Sequence, residues 1–159
     1  MKRFLFLILI VSFNVTAAEQ AITQWVYNTL ERAQANLDKG NVEAAERIYY
    51  DYSNDTWSSR SYDHFVILRT YAYFLLSFDR NEEALRYLKQ ASLKRDMPRY
   101  DIFELNFTLG QVYYVTGDRE NAKKTLLKWV EIGEKNKLDL KPEGYAILAT
   151  IYAQDEEWG

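Results

Sequence analysis

The sequence predicts an all-α protein: an α-α superhelix, or solenoid, of about seven helices, forming three full helical hairpins and a single C-terminal helix. Three observations predict it. Aromatic residues make up 16% of the chain while Gly 6 and Pro 2 are few, a composition that suits amphipathic helices packed over most of their length. Three turn-like segments recur, Asp38-Lys39-Gly40-Asn41, Phe78-Asp79-Arg80-Asn81 and Thr116-Gly117-Asp118-Arg119. Each is flanked by small residues, Ala33 and Ala45, Ala72 and Ala84, Gly110 and Ala122, always 12 positions apart, while successive units step by 39, 38 and again 39 to reach Ala149. A constant inner spacing inside a nearly constant period marks an internal repeat.

The physical reason is direct. Two antiparallel helices joined by a tight turn come close only where small residues face each other at the crossing. Around those positions apolar residues recur at helical spacing: Phe103, Phe107, Leu109, Val112 and Tyr113 before the third turn, Ala122, Leu126, Leu127 and Val130 after it. The map is then 21–38, 41–53, 62–77, 81–93, 100–116, 119–134 and 142–153. Pro142 and Glu143 suit a helix start, and Asp101 and Asp118 suit caps or first-turn acids.

These residues resemble the tetratricopeptide (TPR) family, whose first helix carries W-x2-L-G-x2-Y and whose second carries A-x3-F. The third unit reads Asn106-x2-Leu109-Gly110-x2-Tyr113 and Ala122-x3-Leu126. The second reads Leu68-x2-Tyr71-Ala72-x2-Leu75 and Ala84-x3-Leu88-x2-Ala91, and the first is degenerate, ending in Ala45-x3-Tyr49. A fourth begins as Tyr145-x2-Leu148-Ala149-x2-Tyr152 and lacks its second helix. The period exceeds the family's usual 34, so the extra residues belong between units, at Tyr52–Tyr62, Lys94–Tyr100 and Lys135–Lys141. A narrower resemblance lies in Leu126-x-x-Trp129 followed by Pro142, which is similar to periplasmic TPR proteins associated with TonB transport systems. Trp129 stands where a small residue such as Ala91 is usual.

The N-terminus reads as an address. Lys2 and Arg3 precede the apolar run Phe4–Phe13, and small residues follow to Ala18, the pattern of a cleavable export signal. The run is too short to span a bilayer, which takes about 20 apolar residues. The expected organisation is a signal peptide over 1–18 and a TPR-like helical-repeat domain over 19–159, acting in the periplasm. The net charge of −3 falls further on cleavage and gives no electrostatic footprint for nucleic acid. With no cysteine, a cysteine-linked lipid anchor, disulfides and thiolate chemistry are excluded.

Nothing in the sequence composes a catalytic site. The sole histidine, His64, reads as a solvent-facing residue. Glu82-Glu83 and Glu156-Glu157 follow turns, where carboxylates favourably face a helix N-terminus. No phosphate loop, nucleophile elbow or metal-ligand cluster stands out, and no cofactor is implied. The resemblance instead implies a non-catalytic protein–protein interaction module, with the first helices lining a concave, partner-binding face. By position that face is Arg69, Tyr73 and Leu76, then Glu104, Phe107, Gln111 and Tyr114, then Thr150. The partner is a protein or peptide, on the narrower resemblance a component of a TonB energy-transduction complex. Alternatives are an assembly scaffold in envelope biogenesis or secretion, and an accessory domain of an enzyme. The unpaired last helix leaves Ile147, Leu148, Ile151 and Tyr152 unable to face one neighbour together. Its open side is expected to be covered by a second copy, as a homodimer, or by a partner.

Overall fold

Each of the three repeated turns needs one residue in the left-handed region, and the chain supplies it at equivalent positions: Gly40 at φ 76°, Asp79 at φ 58° and Gly117 at φ 85°. The next amide then folds back onto the preceding helix. Asn41 donates to the Asn36 carbonyl at 2.8 Å, Arg80 to Leu75 at 3.0 Å and Asp118 to Tyr113 at 2.8 Å, the closure that satisfies carbonyls left open at a helix end. Asp79 explains how the second turn dispenses with glycine, since aspartate tolerates this conformation better than most residues.

A computed structural model of the chain describes residues 21–54 and 61–157, the side chains of 156 and 157 excepted. Among them are seven helices and no strand: α1 (Gln24–Asp38), α2 (Val42–Ser53), α3 (Ser61–Ser77), α4 (Asn81–Ser92), α5 (Arg99–Val115), α6 (Arg119–Asn136) and α7 (Pro142–Glu157). The expected signal segment and its cleavage site lie outside the described residues, as does most of the first inter-unit segment. The helices pair as α1–α2, α3–α4 and α5–α6, each pair stacks on the next, and α7 packs on both α5 and α6. This is the predicted architecture of three hairpins and a single last helix. The boundaries shift by a few residues, for physical reasons. Thr23 caps α1 by accepting from the Val26 amide, so the first helix begins at Gln24. Lys137, left-handed at φ 54°, ends α6 at Asn136.

The small residues lie at the crossings. Ala33, Ala45, Ala72, Ala84 and Ala122 are all fully buried. A Cβ placed on Gly110 would come within 2.6 Å of Leu126 Cγ, so the α5–α6 crossing is too close for anything but glycine as it stands. The main core runs through the three units, from Ala33 and Tyr49 through Phe65, Leu75 and Leu88 to Leu109 and Ala122. A second cluster of Phe103, Phe107, Leu126, Trp129 and Leu148 joins the third unit to α7. The loops 93–98 and 137–141 take up the added period between units.

Trp129 accounts for the change from the usual small residue. Its ring is fully buried, 5.6 Å from Phe103, 5.0 Å from Phe107 and 5.9 Å from Tyr145. Gly144 in the first turn of α7 lets that helix lie across the indole, because a Cβ there would stand 2.4 Å from the ring. The indole N–H has no partner among the described residues, so the ring serves this seam by packing alone.

Candidate functional site

Two acidic residues organise the face along which the first helices meet. Asp63 and Asp101 occupy the first turns of α3 and α5, where a carboxylate is favoured by the helix dipole. Both are buried, and each reaches back to the preceding unit. Asp63 accepts from the Thr23 amide at 3.0 Å. Asp101 accepts from the Tyr62 hydroxyl at 3.1 Å and pairs with the Arg69 guanidinium. The signal for this pair was present in the sequence as Tyr62-Asp63-His64-Phe65 and Tyr100-Asp101-Ile102-Phe103, one period apart. It is visible only when short strings are compared across units, because neither aspartate belongs to the small-residue pattern that reveals the repeat.

The sequence-predicted residues distribute along this face as follows. Arg69 is tied to Asp101, and its guanidinium lies 5.0 Å from the Phe65 ring centre. Tyr73 is 40% exposed, its hydroxyl 3.4 Å from Thr108 Oγ1 across the α3–α5 seam. Leu76 and Tyr114 are half-buried against the main core. Glu104 accepts from Lys141 Nζ at 2.7 Å. Gln111 is half-buried, and its carboxamide has no hydrogen-bond partner among the described residues. Thr150 is exposed and donates to the carbonyl of Ala146 at 2.8 Å. Phe107 is the exception. It is 7% exposed, belongs to the second core cluster, and is covered by Lys141 Nζ at 4.5 Å from its centre. Its ring is core, because Trp129 fills the space behind it and Lys141 closes the front.

Carrying the same register by one period adds residues that the repeat motif does not mark. In α1 these are Leu30, Gln34 and Leu37. In α7 they are Ala146 and Ala153 beside Thr150. The first unit was missed because its motif is degenerate, although its register is intact. Leu30 and Leu37 are half-buried, while Gln34, Ala146 and Ala153 are exposed.

Two other sequence expectations change. His64 is not simply solvent-facing. Its Nε2 donates to the Ser53 carbonyl at 2.9 Å, leaving Nδ1 to accept from Lys94 Nζ at 2.8 Å, so the ring joins the end of α2 and the loop after α4 to the start of α3. In α7, Ile151 and Leu148 are buried and Ile147 is half-buried, whereas Tyr152 is 44% exposed. The apolar residues thus divide between a packed face and an open one. Tyr145 and Ala149 share the open side with Tyr152.

Two further ion pairs join separate elements. Arg80 holds Glu46 of α2 and Glu83, and its hydrogen bond lowers the Glu83 carboxyl below the usual range against the opposing pull of burial. Lys123 donates to Asp155 at 2.6 Å, which raises its ammonium pKa. No group of three or more metal-ligating acids, histidines or cysteines occurs among the described residues.

No family model matches the sequence, and none of the curated proteins compared with it matches. Among solved structures the chain is similar to a protein of Podosopora anserina described as a kinesin light chain with nearly identical TPR-like repeats. The TM-score is 0.60 and the identity 19%, with 80% of this chain and 65% of that one covered. The chain thus spans less than two thirds of that neighbour's length. The likeness shows a TPR-like fold.

Proposed function

We propose that this chain is a non-catalytic protein–protein interaction module that receives a partner on the face lined by α1, α3, α5 and α7. The observation that supports it is the register itself. Equivalent positions of four successive helices present Gln34, Tyr73, Gln111 and Thr150 outward, flanked by Leu37, Leu76, Tyr114 and Ala153. An exposed tyrosine beside half-buried apolar neighbours is the residue type that anchors interfaces. The test is partner capture by wild type and by a Tyr73→Ala, Tyr114→Ala double variant. Capture is expected to fall with little change in melting temperature, Tyr73 carrying most of the loss because Tyr114 also packs on the core. Undiminished capture would move the interface elsewhere.

The finer reading places the module in the periplasm after cleavage of residues 1–18, as an accessory of a TonB energy-transduction complex. The resemblance of Leu126-x-x-Trp129 and Pro142 supports it, together with the export pattern of Lys2 to Ala18. N-terminal sequencing of the envelope-derived protein should begin at Glu19. Affinity purification from cross-linked envelopes should recover components of that complex, and full-length chain from the cytosol would contradict both. The open side of α7, with Tyr145, Ala149 and Tyr152, is the proposed second contact surface, through which two copies pair.

A further inference from the structure

The loops between units lie on the edge of the solenoid opposite the three repeated turns, and the loop from α4 to α5 stands out on it. Leu93 is 78% exposed, the most exposed large apolar side chain among the described residues, and Tyr100 in the first turn of α5 is 61% exposed. Cations surround this pair: Lys89, one helical turn before Leu93, then Lys94, Arg95 and Arg99. Lys89, Arg95 and Arg99 are exposed and enter no ion pair among the described residues. The acids nearby do not cancel them. Asp96 is the only acid from Lys89 to Tyr100, and Asp101 is buried against Arg69. Further along the edge Glu134 is offset by Lys135 and Asp139 by Lys137, Glu104 holds Lys141, and Asp51 and Glu143 lie one unit to either side.

The loop is fixed in this shape before any contact. Met97 is buried beneath it. The amides of Leu93 and Lys94 return to the carbonyls of Gln90 and Ala91. Lys94 Nζ donates to His64 Nδ1 at 2.8 Å, and Arg99 Nη1 donates to Asn136 Oδ1 at 2.9 Å. Little ordering therefore remains to be done on binding. A protein partner encloses its apolar anchors in shaped pockets, whereas a bilayer takes a projecting side chain without one. Tyrosine favours the level of the lipid headgroups, and lysine and arginine are drawn to anionic ones. One apolar anchor gives only marginal attachment and needs a second, basic signal, which the four cations supply. No helix among the described residues is long and apolar enough to cross a membrane, so the contact is one with the surface.

We propose that this edge is a peripheral docking surface for an anionic lipid bilayer. Leu93 enters the boundary between headgroups and acyl chains, Tyr100 lies at headgroup level, and Lys89, Lys94, Arg95 and Arg99 meet the lipid phosphates. The attachment is reversible and weakens with salt. It uses none of the residues assigned to partner capture, so each surface stands or falls by itself.

The chain has no cysteine, so Leu93→Cys carries a single polarity-sensitive fluorophore on the full chain. Titration with phosphatidylcholine vesicles containing about one third phosphatidylglycerol should shift its emission to the blue. Vesicles of phosphatidylcholine alone should give little shift, and raising NaCl from about 50 to about 500 mM should reverse it. The same label at Val115→Cys, exposed at the opposite edge, should stay in water. Within the chain labelled at position 93, Arg95→Ala should weaken vesicle binding about fivefold and Asp96→Asn should tighten it about fivefold. Both residues are exposed, and asparagine tolerates the left-handed conformation of Asp96, so both variants stay folded. With the label moved to Tyr100→Cys, Leu93→Ser should weaken binding about tenfold. The proposal is overturned if the label at 93 does not shift, if it shifts equally on phosphatidylcholine alone or equally at 115, or if Arg95→Ala and Asp96→Asn leave the titration unmoved. A response to a soluble oligoglutamate peptide without one to anionic vesicles would also overturn it, making the edge a site for an acidic protein segment.

Discussion

Gly110 and Ala149 hold the same place in consecutive units, yet their surroundings are opposite. At Gly110 the side chain of Leu126 stands so close that one added carbon would overlap it. At Ala149 the outward side is exposed to solvent. Both helices carry the small residue demanded by a close crossing, but only α5 has a second helix of its own hairpin across it. Smallness at these positions is therefore set by the neighbour, not by any need of the helix that bears it. α7 is held instead from its other side, by Trp129, Phe107 and Leu126.

The largest effect should come from removing what holds α7. Trp129→Ala deletes a fully buried ring that touches α5 and α7. Urea unfolding should show a loss of about 3–5 kcal/mol, the range for truncating a large aromatic in a core. A loss under about 1 kcal/mol would mean that α7 does not depend on this cluster. Next in size, Gly110→Ala should cost about 1–3 kcal/mol through overpacking against Leu126. Ala149→Leu, at the equivalent position, should stay within about 0.5 kcal/mol. Equal costs at the two positions would break the comparison.

How much of this was legible in the sequence follows from the same contrast. The hairpins were readable because a crossing permits only small residues, so Ala33, Ala45, Ala72, Ala84, Gly110 and Ala122 announce it. The map of seven helices follows from them and from the turns. The site was readable only as a register. Tyr73, Gln111 and Thr150 fall on the face by spacing, whereas the burial of Phe107 depends on Trp129 and Lys141, which arrive from 22 and 34 residues further along the chain. The pairing of Arg69 with Asp101 and of Glu104 with Lys141 joins different units, and spacing within one helix carries no trace of it. His64 was misread for the same reason, since Ser53 belongs to α2 and Lys94 to the loop after α4.

A smaller effect separates the closed units by pH. Burial raises the phenols of Tyr49, Tyr71 and Tyr113 above the ordinary tyrosine value, and at Tyr71 the neighbouring Tyr87 and Glu46 add to it. A native pKa raised above the unfolded one means that the folded state holds its proton more tightly. The associated stability is complete below about pH 10 and is lost as pH rises from there through the raised native values. Thermal melts should therefore fall in temperature above pH 10, and Tyr71→Phe should lessen the fall. A melting temperature flat to pH 11.5 would show that these hydroxyls are not protected from solvent.

The smallest change in folding, and the one that bears most on assembly, concerns the open side of α7. Ala149 lies between Tyr145 and Tyr152, which are 43% and 44% exposed. A small residue flanked by rings permits close approach of another helix at that point. In a twofold pairing the same patch would serve both copies, each Tyr145 reaching toward the other's Tyr152 side. Light scattering across a concentration series should show mass rising from monomer toward dimer. Ala149→Glu would place a carboxylate at the centre of that contact and should restore the monomer, with the melting temperature of the dilute protein unchanged because the side chain points to water. Ile151→Glu is not the equivalent test, since Ile151 is buried against the third unit and its replacement would damage the fold. A constant monomer mass, identical in wild type and Ala149→Glu, would leave α7 as the uncovered end of the solenoid and remove self-pairing from the account.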